Sequence, residues 1–567
     1  MKSFRHATAA LLAAMITVAP LTAQTRKAQE ADMPKLVETI DVRLINVDVV
    51  VTDRKGNPIQ GLTKDDFELF ENGVPKVITN FYEVAAGKAK GDLVEEAEKP
   101  AAPAPLPAVK QEIPEKTKRR IIFYVDNLSL APFNRNRVFS DMKNFVDTVM
   151  RQGDEAMVVT FNRSMKVRVP FTRDTTYIKQ TLDSIAGESA MGPANHSEWK
   201  DVQGRIRDAR SYDEAVGEAR MYANQIEHDL RQSVSSLNAL MSTLAGVEGK
   251  KILVLTSEGF PMQPGREAFY MVDEAGKDKG WTGSGSSMLE GMTFDSSSLI
   301  QSVAKAANAN GITMYTVHAG GLTAGNEMSA ENQQATPYTV SYAQVSNSTE
   351  SMQLMADMTG GLSAAGTNNF KDIFNKIERD LSSYYSLGYR AGTERVDRQR
   401  YLQVKTKNRN YIVRNRQTFV EKSMYAEMSD KVIANLLYRV KDNDLNILVR
   451  IGTPRPTDDG YFQIPVEIQI PMDSLTIIPQ GDSGFAGGFD VYVVVADKNN
   501  DMSDVARKQH QLHLTPEEMK KTSGRFYSYS VDLLVEKGLN RISVGVVDQV
   551  SNTSGFALEQ IIARDLR

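Results

Sequence analysis

The stretch IIFYVDNLSL, Ile121 to Leu130, decides the fold of this chain. Its first half is apolar or aromatic at every position, with none of the alternation of a strand that has one wet face. Such a run describes a strand covered on both sides, as in a parallel sheet between layers of helix. It ends on a carboxylate, Asp126. In an open α/β sheet the carboxyl ends of the strands are where loops and helix N-termini converge on a ligand. Asp126 therefore marks the edge on which function is to be sought.

Outward from this strand the pattern alternates between strand and helix. Val138, Phe139, Met142, Phe145, Val146 and Val149 share one helical face, EAMVVTF (155–161) reads as a strand, and a helix is expected near 176–186. Ala223, Ile226, Leu230, Leu237, Met241 and Leu244 predict one long helix that stops at Gly246, before the strand KILVLTS (251–257). A helix over 299–309 ends on Asn310-Gly311, residues that accept a left-handed C-cap, and ITMYTVH (312–318) follows. Helices near 348–358 and 368–382 lead into YYSLGYR (384–390), read as the last strand of the sheet. The expectation for 119–392 is a doubly wound, mainly parallel sheet.

Both flanks read as β structure. Ile45, Val47, Val49 and Val51 alternate with other residues until Asp53-Arg54-Lys55-Gly56, and Asn72-Gly73 separates two apolar runs, the signal of a two-residue hairpin. A small β domain is expected over 38–84, too short to bury much surface alone and so expected to pack on a later domain. Thr63 to Asp66 has the form of a helix N-cap with a carboxylate at its third position. Residues 85–118, dominated by Ala, Pro, Glu and Lys, read as a flexible linker. RYLQVKTKNRNYIVRN suggests a β hairpin extension over 393–422, and an amphipathic helix near 424–438 joins it to a last segment. Over 440–567, YFQIPVEIQIP, FDVYVVVAD, RFYSYSVDLL and NRISVGVVDQ alternate in period two, as in an immunoglobulin-like sandwich.

Composition narrows the function classes. With 567 residues, 41% hydrophobic and 24% charged, the chain is long enough for several globular domains. A net charge of −4, a pI near 6.0 and the lack of a long basic run give no reason to expect nucleic acid. There is no cysteine, which removes disulfides, thiolate catalysis and cysteine-ligated metals. Residues 1–23 place Lys2, Arg5 and His6 before an apolar run and then LTAQ, the form of a secretory signal peptide. The expectation is an exported protein, periplasmic, outer-membrane-associated or extracellular, with no membrane-spanning segment after signal removal.

Four strings, VVVTDRKGNPIQGLTKDDFELFENGVPKVITNF, RRIIFYVDNLSL, VLTSEGFP and SSYYSLGYR, together with the order of the elements, resemble secreted bacterial proteins that carry a von Willebrand factor A-related domain. The resemblance covers about residues 38–420. It implies a divalent cation at the top of the sheet, held through Asp-x-Ser-x-Ser, a threonine from a second loop and an aspartate from a third. Mg²⁺ or another hard cation takes oxygen ligands and keeps one position open for a partner's carboxylate. Carried over, Asp126 matches the first ligand, Leu128 and Leu130 stand where the serines should be, and Glu258 stands for the third-loop aspartate. No threonine is placed. The candidate metal set is therefore the degenerate group Asp126, Ser129 and Glu258, with Asn127 as a further oxygen. In the alternative, Asp126 caps a helix or orders its loop.

Catalytic signals are sparse. His510 and His513 stand three apart without a Glu-x-x-His context, and His318 ends a strand alone. GSGSS, Gly283 to Ser287, lacks the preceding strand of a nucleophile elbow, and no phosphate loop occurs. The insertions at 187–210, 261–291 and 320–346 lie after strands or at helix entries, where functional loops and variable surface loops are both found. Several methionines there (Met191, Met262, Met288, Met292, Met328) suit either an adaptable binding surface or loop packing. The expected function is non-enzymatic, protein-binding or adhesion-type, through the loop face toward an unidentified protein or cell-envelope partner. The alternatives are a hydrolase built from Asp126, Glu258 and His318, and an envelope scaffold acting through its β domains.

Overall fold

The computed structural model describes residues 44–564 apart from 86–87, 92–117, 152, 283–284, 322–335, 391–395, 440–441 and 481–483. The segment read as a signal peptide, 1–23, most of the segment read as a flexible linker, 85–118, and much of the 320–346 insertion lie outside the described residues, while Lys88–Gly91, within the expected linker, forms a strand. Two compact units emerge, one spanning Arg43–Glu421 and one taking in Lys422–Arg567.

The first unit opens with strands β1 (Leu44–Thr52), β2 (Phe67–Glu71), β3 (Val74–Lys76), β4 (Ile78–Ala85) and β5 (Lys88–Gly91). It continues through β6 (Arg119–Asp126), α1 (Pro132–Val149), β7 (Glu155–Phe161), β8 (Met165–Thr172), α2 (Thr175–Ala186), α3 (Gly192–Asp208), α4 (Tyr212–Thr243) and β9 (Lys250–Ser257). Then come α5 (Arg266–Lys279), α6 (Ser287–Gly291), α7 (Ser297–Ala309), β10 (Ile312–His318), α8 (Tyr338–Thr359), β11 (Ser363–Ala364) and α9 (Phe370–Ser382). Strands β12 (Tyr384–Arg390), β13 (Gln399–Thr406), β14 (Ile412–Asn415) and β15 (Thr418–Val420) complete it.

A six-stranded sheet runs β11-β10-β9-β6-β7-β8, parallel except for β8, which folds back on β7. From β6 the chain first goes outward to β7 and later returns to lay β9 on the other side, so the switch of direction lies between β6 and β9. Crevices form at such switch points, and the residues that end these two strands are Asp126 and Ser257. On one face Ile121, Phe123 and Val125 join Val138, Phe139, Ile178 and Ile373 in a core made with α1, α2 and α9. On the opposite face the Tyr124 hydroxyl lies 3.1 Å from Ser236 Oγ of α4.

YYSLGYR, expected as the last strand of this sheet, lies elsewhere. As β12 it pairs antiparallel with β1 and β4, while β8 and β11 fill out the parallel sheet. The reason is visible in its residues: Tyr385, Leu387 and Tyr389 alternate with Ser386 and Gly388, the period of a strand in an antiparallel sheet rather than the unbroken apolar run of β6.

The sheet β14-β1-β12-β4-β5 and the sheet β15-β13-β2-β3 supply the two sides of one core, which gathers Val47, Val49, Phe67, Leu69, Leu387 and Leu402. Residues 44–91 and 384–420 thus build one sandwich, and the two strands read as a hairpin extension, β13 and β14, go to different sheets. Asn72 (φ 50°) and Gly73 (φ 80°) make the left-handed two-residue turn between β2 and β3 that their sequence signals. Thr63 and Asp66 form the reciprocal cap, with Thr63 N and Oγ1 each donating to Asp66 Oδ2 at 2.8 Å. The sandwich is tied to the α/β layer by Arg414 of β14, which donates to both oxygens of Asp380 on α9 (2.6 and 2.8 Å). Tyr315 of β10 donates to the same carboxylate at 2.9 Å.

Two of the insertions marked as loop-like are largely helical. Trp199, Val202 and Ile206 of α3 pack with Ala219 and Tyr222 of α4 and with Phe269 and Val272 of α5 in a separate apolar cluster. Inside it Glu267 is buried and accepts from the Tyr222 hydroxyl at 3.1 Å. Burial pushes its carboxyl above the ordinary range, against the hydrogen bonds that favour the charged form. A carboxyl raised on folding stabilises the native state at low pH, and that contribution is lost as pH rises through its folded value. Glu267→Gln is therefore expected to melt above the wild type at pH 7, with the gap closing as pH falls toward the ordinary carboxylate range. Thermal unfolding of both proteins across a pH series checks this.

The second unit begins with α10 (Met424–Tyr438), then β16 (Leu448–Ile451), β17 (Arg455–Pro456), β18 (Phe462–Pro471), β19 (Ile478–Pro479), β20 (Phe485–Ala496), β21 (Ala506–Leu514), α11 (Pro516–Met519), β22 (Phe526–Val535), β23 (Gly538–Asp548) and β24 (Ser554–Ala563). One antiparallel sheet places β16 and β17 on one edge of β18 and β22 on the other. The second runs β21-β20-β23-β24, with short β19 beside β20. Ile464, Val466 and Ile468 meet Val491, Ile542, Val544 and Val546 in the core. Helix α10, expected as a connector, covers the outer face of the second sheet through Val432 and Leu436 against Tyr492, Val494 and Phe556. Asn435 fixes its rotation by donating to Ser543 Oγ at 2.9 Å.

Candidate functional site

Strand β6 delivers Asp126 to the carboxyl edge because every residue before it from Arg120 on is buried, leaving no freedom of register. Its parallel neighbour β9 pairs Thr256 with Val125, which brings Ser257 alongside Asp126. Asp126 is 2% exposed. Its Oδ2 accepts from the hydroxyls of Ser129 (2.7 Å) and Ser257 (2.8 Å), and its Oδ1 from Leu128 N (3.2 Å). The two hydroxyl oxygens lie 2.8 Å apart. Each also accepts a backbone N–H, Ser129 Oγ from Glu258 and Ser257 Oγ from Gly259, both at 3.0 Å. Burial pushes the Asp126 carboxyl upward while these hydrogen bonds pull it back toward the charged form.

Glu258 does not face the same point. Its Oε1 accepts from Ala131 N (2.7 Å) and Asn134 Nδ2 (3.0 Å), the first turn of α1. Ala131 has no side chain able to cap, so the carboxylate that closes α1 comes from the neighbouring loop. Burial raises the Glu258 carboxyl, with Asp126 adding a repulsion that Arg137 offsets. Of the two alternatives for Asp126, loop ordering is what the geometry has, and helix capping belongs to Glu258.

The remaining loop positions point inward. Leu130 is fully buried in the main core and Leu128 is 5% exposed. Asn127 Oδ1 accepts from Arg135 Nη1 at 3.0 Å, and Arg135, itself fully buried, also donates to the carbonyls of Ala186 and Glu188. The structure thus brings Asp126, Ser129 and Glu258 to one edge but engages all three in internal hydrogen bonds. Ser257, missed in the sequence, is the fourth member.

This donor set does not fit a hard divalent cation. Such an ion needs several convergent oxygens with free lone pairs. Here the two hydroxyls are turned into the Asp126 carboxylate, Glu258 Oε1 is turned toward α1, and the alternate positions after Asp126 are core leucines. Among the described residues no group of three or more acidic or histidine side chains is placed to hold a metal.

His318 Nε2 lies 3.1 Å from the Glu258 carbonyl, and its Nδ1 is buried with no hydrogen-bond partner among the described residues. Burial holds the imidazole below its ordinary range. The ring therefore contacts the backbone of Glu258 and not its carboxylate. His510 and His513 both lie on β21, where a spacing of three places them on opposite faces. His510 stacks on Phe489, ring centres 4.9 Å apart, and meets the Tyr529 ring edge-on.

The edge around Asp126 also presents an aromatic and a cation. Phe133, in the first turn of α1, is 75% exposed, and the Arg137 guanidinium lies 5.7 Å from its ring centre. Arg137 also donates to the Ala319 carbonyl at 3.1 Å, which joins α1 to the end of β10. No helix among the described residues is long and apolar enough to cross a membrane.

No protein-family model matches the chain, and no curated protein does. Among solved structures it is similar to an aerotolerance-related membrane protein from Bacteroides fragilis, at 13% identity over 47% of this chain and 98% of that one, with a TM-score of 0.24. BatB from Bacteroides thetaiotaomicron is similar at 11% identity, over 47% of this chain and 98% of that one, with a TM-score of 0.20. The manganese-loaded TRAP protein of Plasmodium vivax follows at 9% identity, over 53% and 93%, with a TM-score of 0.23. At these scores none of the three bears on what the chain does.

Proposed function

We propose that this chain is an exported, non-enzymatic binding protein whose von Willebrand factor A-like sheet offers its carboxyl edge to a protein or cell-envelope partner without a bridging cation. The observation that carries this reading is the hydroxyl pair: Ser129 and Ser257 donate to the Asp126 oxygen that a cation would otherwise take. A loop held by its own hydroxyls is ordered without an ion. Recognition then falls to direct contacts, and Phe133 under the Arg137 guanidinium is the aromatic and arginine pairing in which interface energy concentrates. The non-enzymatic part rests on His318, whose Nε2 lies against the Glu258 backbone carbonyl rather than against a side-chain carboxylate.

Capture of envelope proteins by immobilised wild type and Phe133→Asp, each with Mg²⁺ and with EDTA, tests the reading. The same partner is expected in both buffers with the wild type and in neither with the variant. Capture that needs Mg²⁺, or that survives Phe133→Asp unchanged, would overturn it.

A further inference from the structure

Strand β22 ends its sheet with an open edge. It pairs with β18 along its whole length, from Phe526 against Pro471 to Val535 against Phe462, and among the described residues no strand pairs with its other side. Such an edge carries a row of N–H and C=O groups that templates another strand unless something blunts it. The other edges of the second unit are blunted. β16 and β17 are short, β21 carries exposed Arg507 and Lys508, and β24 is bridged near its start, Gly555 to Asn443. β22 has ten residues, FYSYSVDLLV, with no proline, lysine or arginine and a single carboxylate, Asp532.

The side chains of β22 match a second copy of the same strand. Its even-numbered residues face outward, with Phe526 48% and Leu534 39% exposed. Its odd-numbered residues face the core, where Tyr527, Tyr529 and Val531 are only partly covered. Two copies related by a twofold axis normal to the sheet pair antiparallel and keep every side chain on its own face. With Ser530 on that axis, Phe526 of each copy lies opposite Leu534 of the other, and Ser528 opposite Asp532. On the core side Tyr529 lies opposite Val531 and Tyr527 opposite Leu533, pairings of aromatic with branched aliphatic groups that stabilise sheets. An axis at Asp532 would set two carboxylates against each other, and every register other than Ser530 separates Phe526 from Leu534.

From this complementarity we propose that the chain self-associates as a twofold dimer in which β22 pairs antiparallel with β22 of a second copy, centred on Ser530. The two β18 sheets then run on as one, and the exposed Phe526 and Leu534 are covered together.

Sedimentation equilibrium of the full chain over a concentration series tests it. A lone strand pair is a small interface, so the dimer is expected to dissociate on the order of 10 μM. Leu534→Lys removes both contacts with Phe526 and is expected to weaken the dimer about tenfold, whereas Ser528→Lys, set opposite Asp532 of the other copy, is expected to tighten it about threefold. Both positions are exposed, and melts recorded in dilute solution, where the wild type is monomeric, report that the variants are folded. A monomer up to roughly 500 μM overturns the proposal and leaves the edge to a strand of another protein. A dimer that folded Leu534→Lys does not weaken, or that Ser528→Lys does not tighten, overturns it as well.

Discussion

Asp380→Ala is expected to cost the first unit about 3–5 kcal/mol of stability, the loss seen when one partner of a buried ion pair is removed. Asp380 is 4% exposed and takes three hydrogen bonds, two from Arg414 and one from the Tyr315 hydroxyl. Without it the guanidinium keeps the carbonyls of Gly360 and Gly361, at 3.2 and 3.3 Å, and the neighbouring Tyr315 hydroxyl, and remains a mostly buried charge that has lost this counterion. Urea unfolding followed by tryptophan fluorescence measures the loss, since both tryptophans, Trp199 and Trp281, belong to this unit. The double variant Asp380→Ala, Arg414→Met removes the stranded charge and is expected to recover part of the loss. A single-variant cost near zero would mean that water reaches the pair.

Leu130→Ala is expected to cost about 2–5 kcal/mol, because a fully buried leucine in a close-packed core leaves a cavity that its neighbours only partly fill. Changing Leu128 and Leu130 together to serine would restore Asp-x-Ser-x-Ser. That double variant is expected to be destabilised at least as much as Leu130→Ala and to stay so in millimolar Mg²⁺, since the new hydroxyls enter the core side of a loop whose carboxylate is already saturated. Urea midpoints with Mg²⁺ and with EDTA decide the matter. Recovery of the wild-type midpoint in Mg²⁺ would mean that a latent cation site persists and that the proposed cation-free binding face is wrong.

The parts of this fold legible in the sequence were those with one dominant local signal. The unbroken run of β6 announced a central parallel strand, and Asn72-Gly73 announced its hairpin. β8 was hidden because its alternation, Val167 and Val169 among charged residues, sits on an edge strand, and helices α3 and α5 because their apolar faces meet each other, α4 and α8 in a separate cluster. At the site, Asp126 and Glu258 could be placed on one edge from strand ends alone. Ser257 could not, since it matters only through the register that sets β9 beside β6, although a parallel pairing of the two apolar runs would have brought it there. The role of Glu258 as a cap for α1 was likewise invisible, because the residue it serves, Ala131, lies in another segment and carries no capping group.

The sandwich of the first unit is closed by partners far apart in the chain: the Tyr385 hydroxyl donates to the Ile59 carbonyl 326 residues before it, and Arg400 reaches Glu71 across 329. Contacts of such separation form late, after the intervening chain has paid its closure entropy or has already condensed. As the polypeptide emerges from the ribosome, strands β1 to β4 must wait, unpaired on their outer edges, until residue 420 has appeared. The α/β layer can condense first and act as the clamp that brings the two ends together. A fragment stopping before Tyr384 would carry β1 and β4 with open edges, and its fate would be set by aggregation rather than by folding.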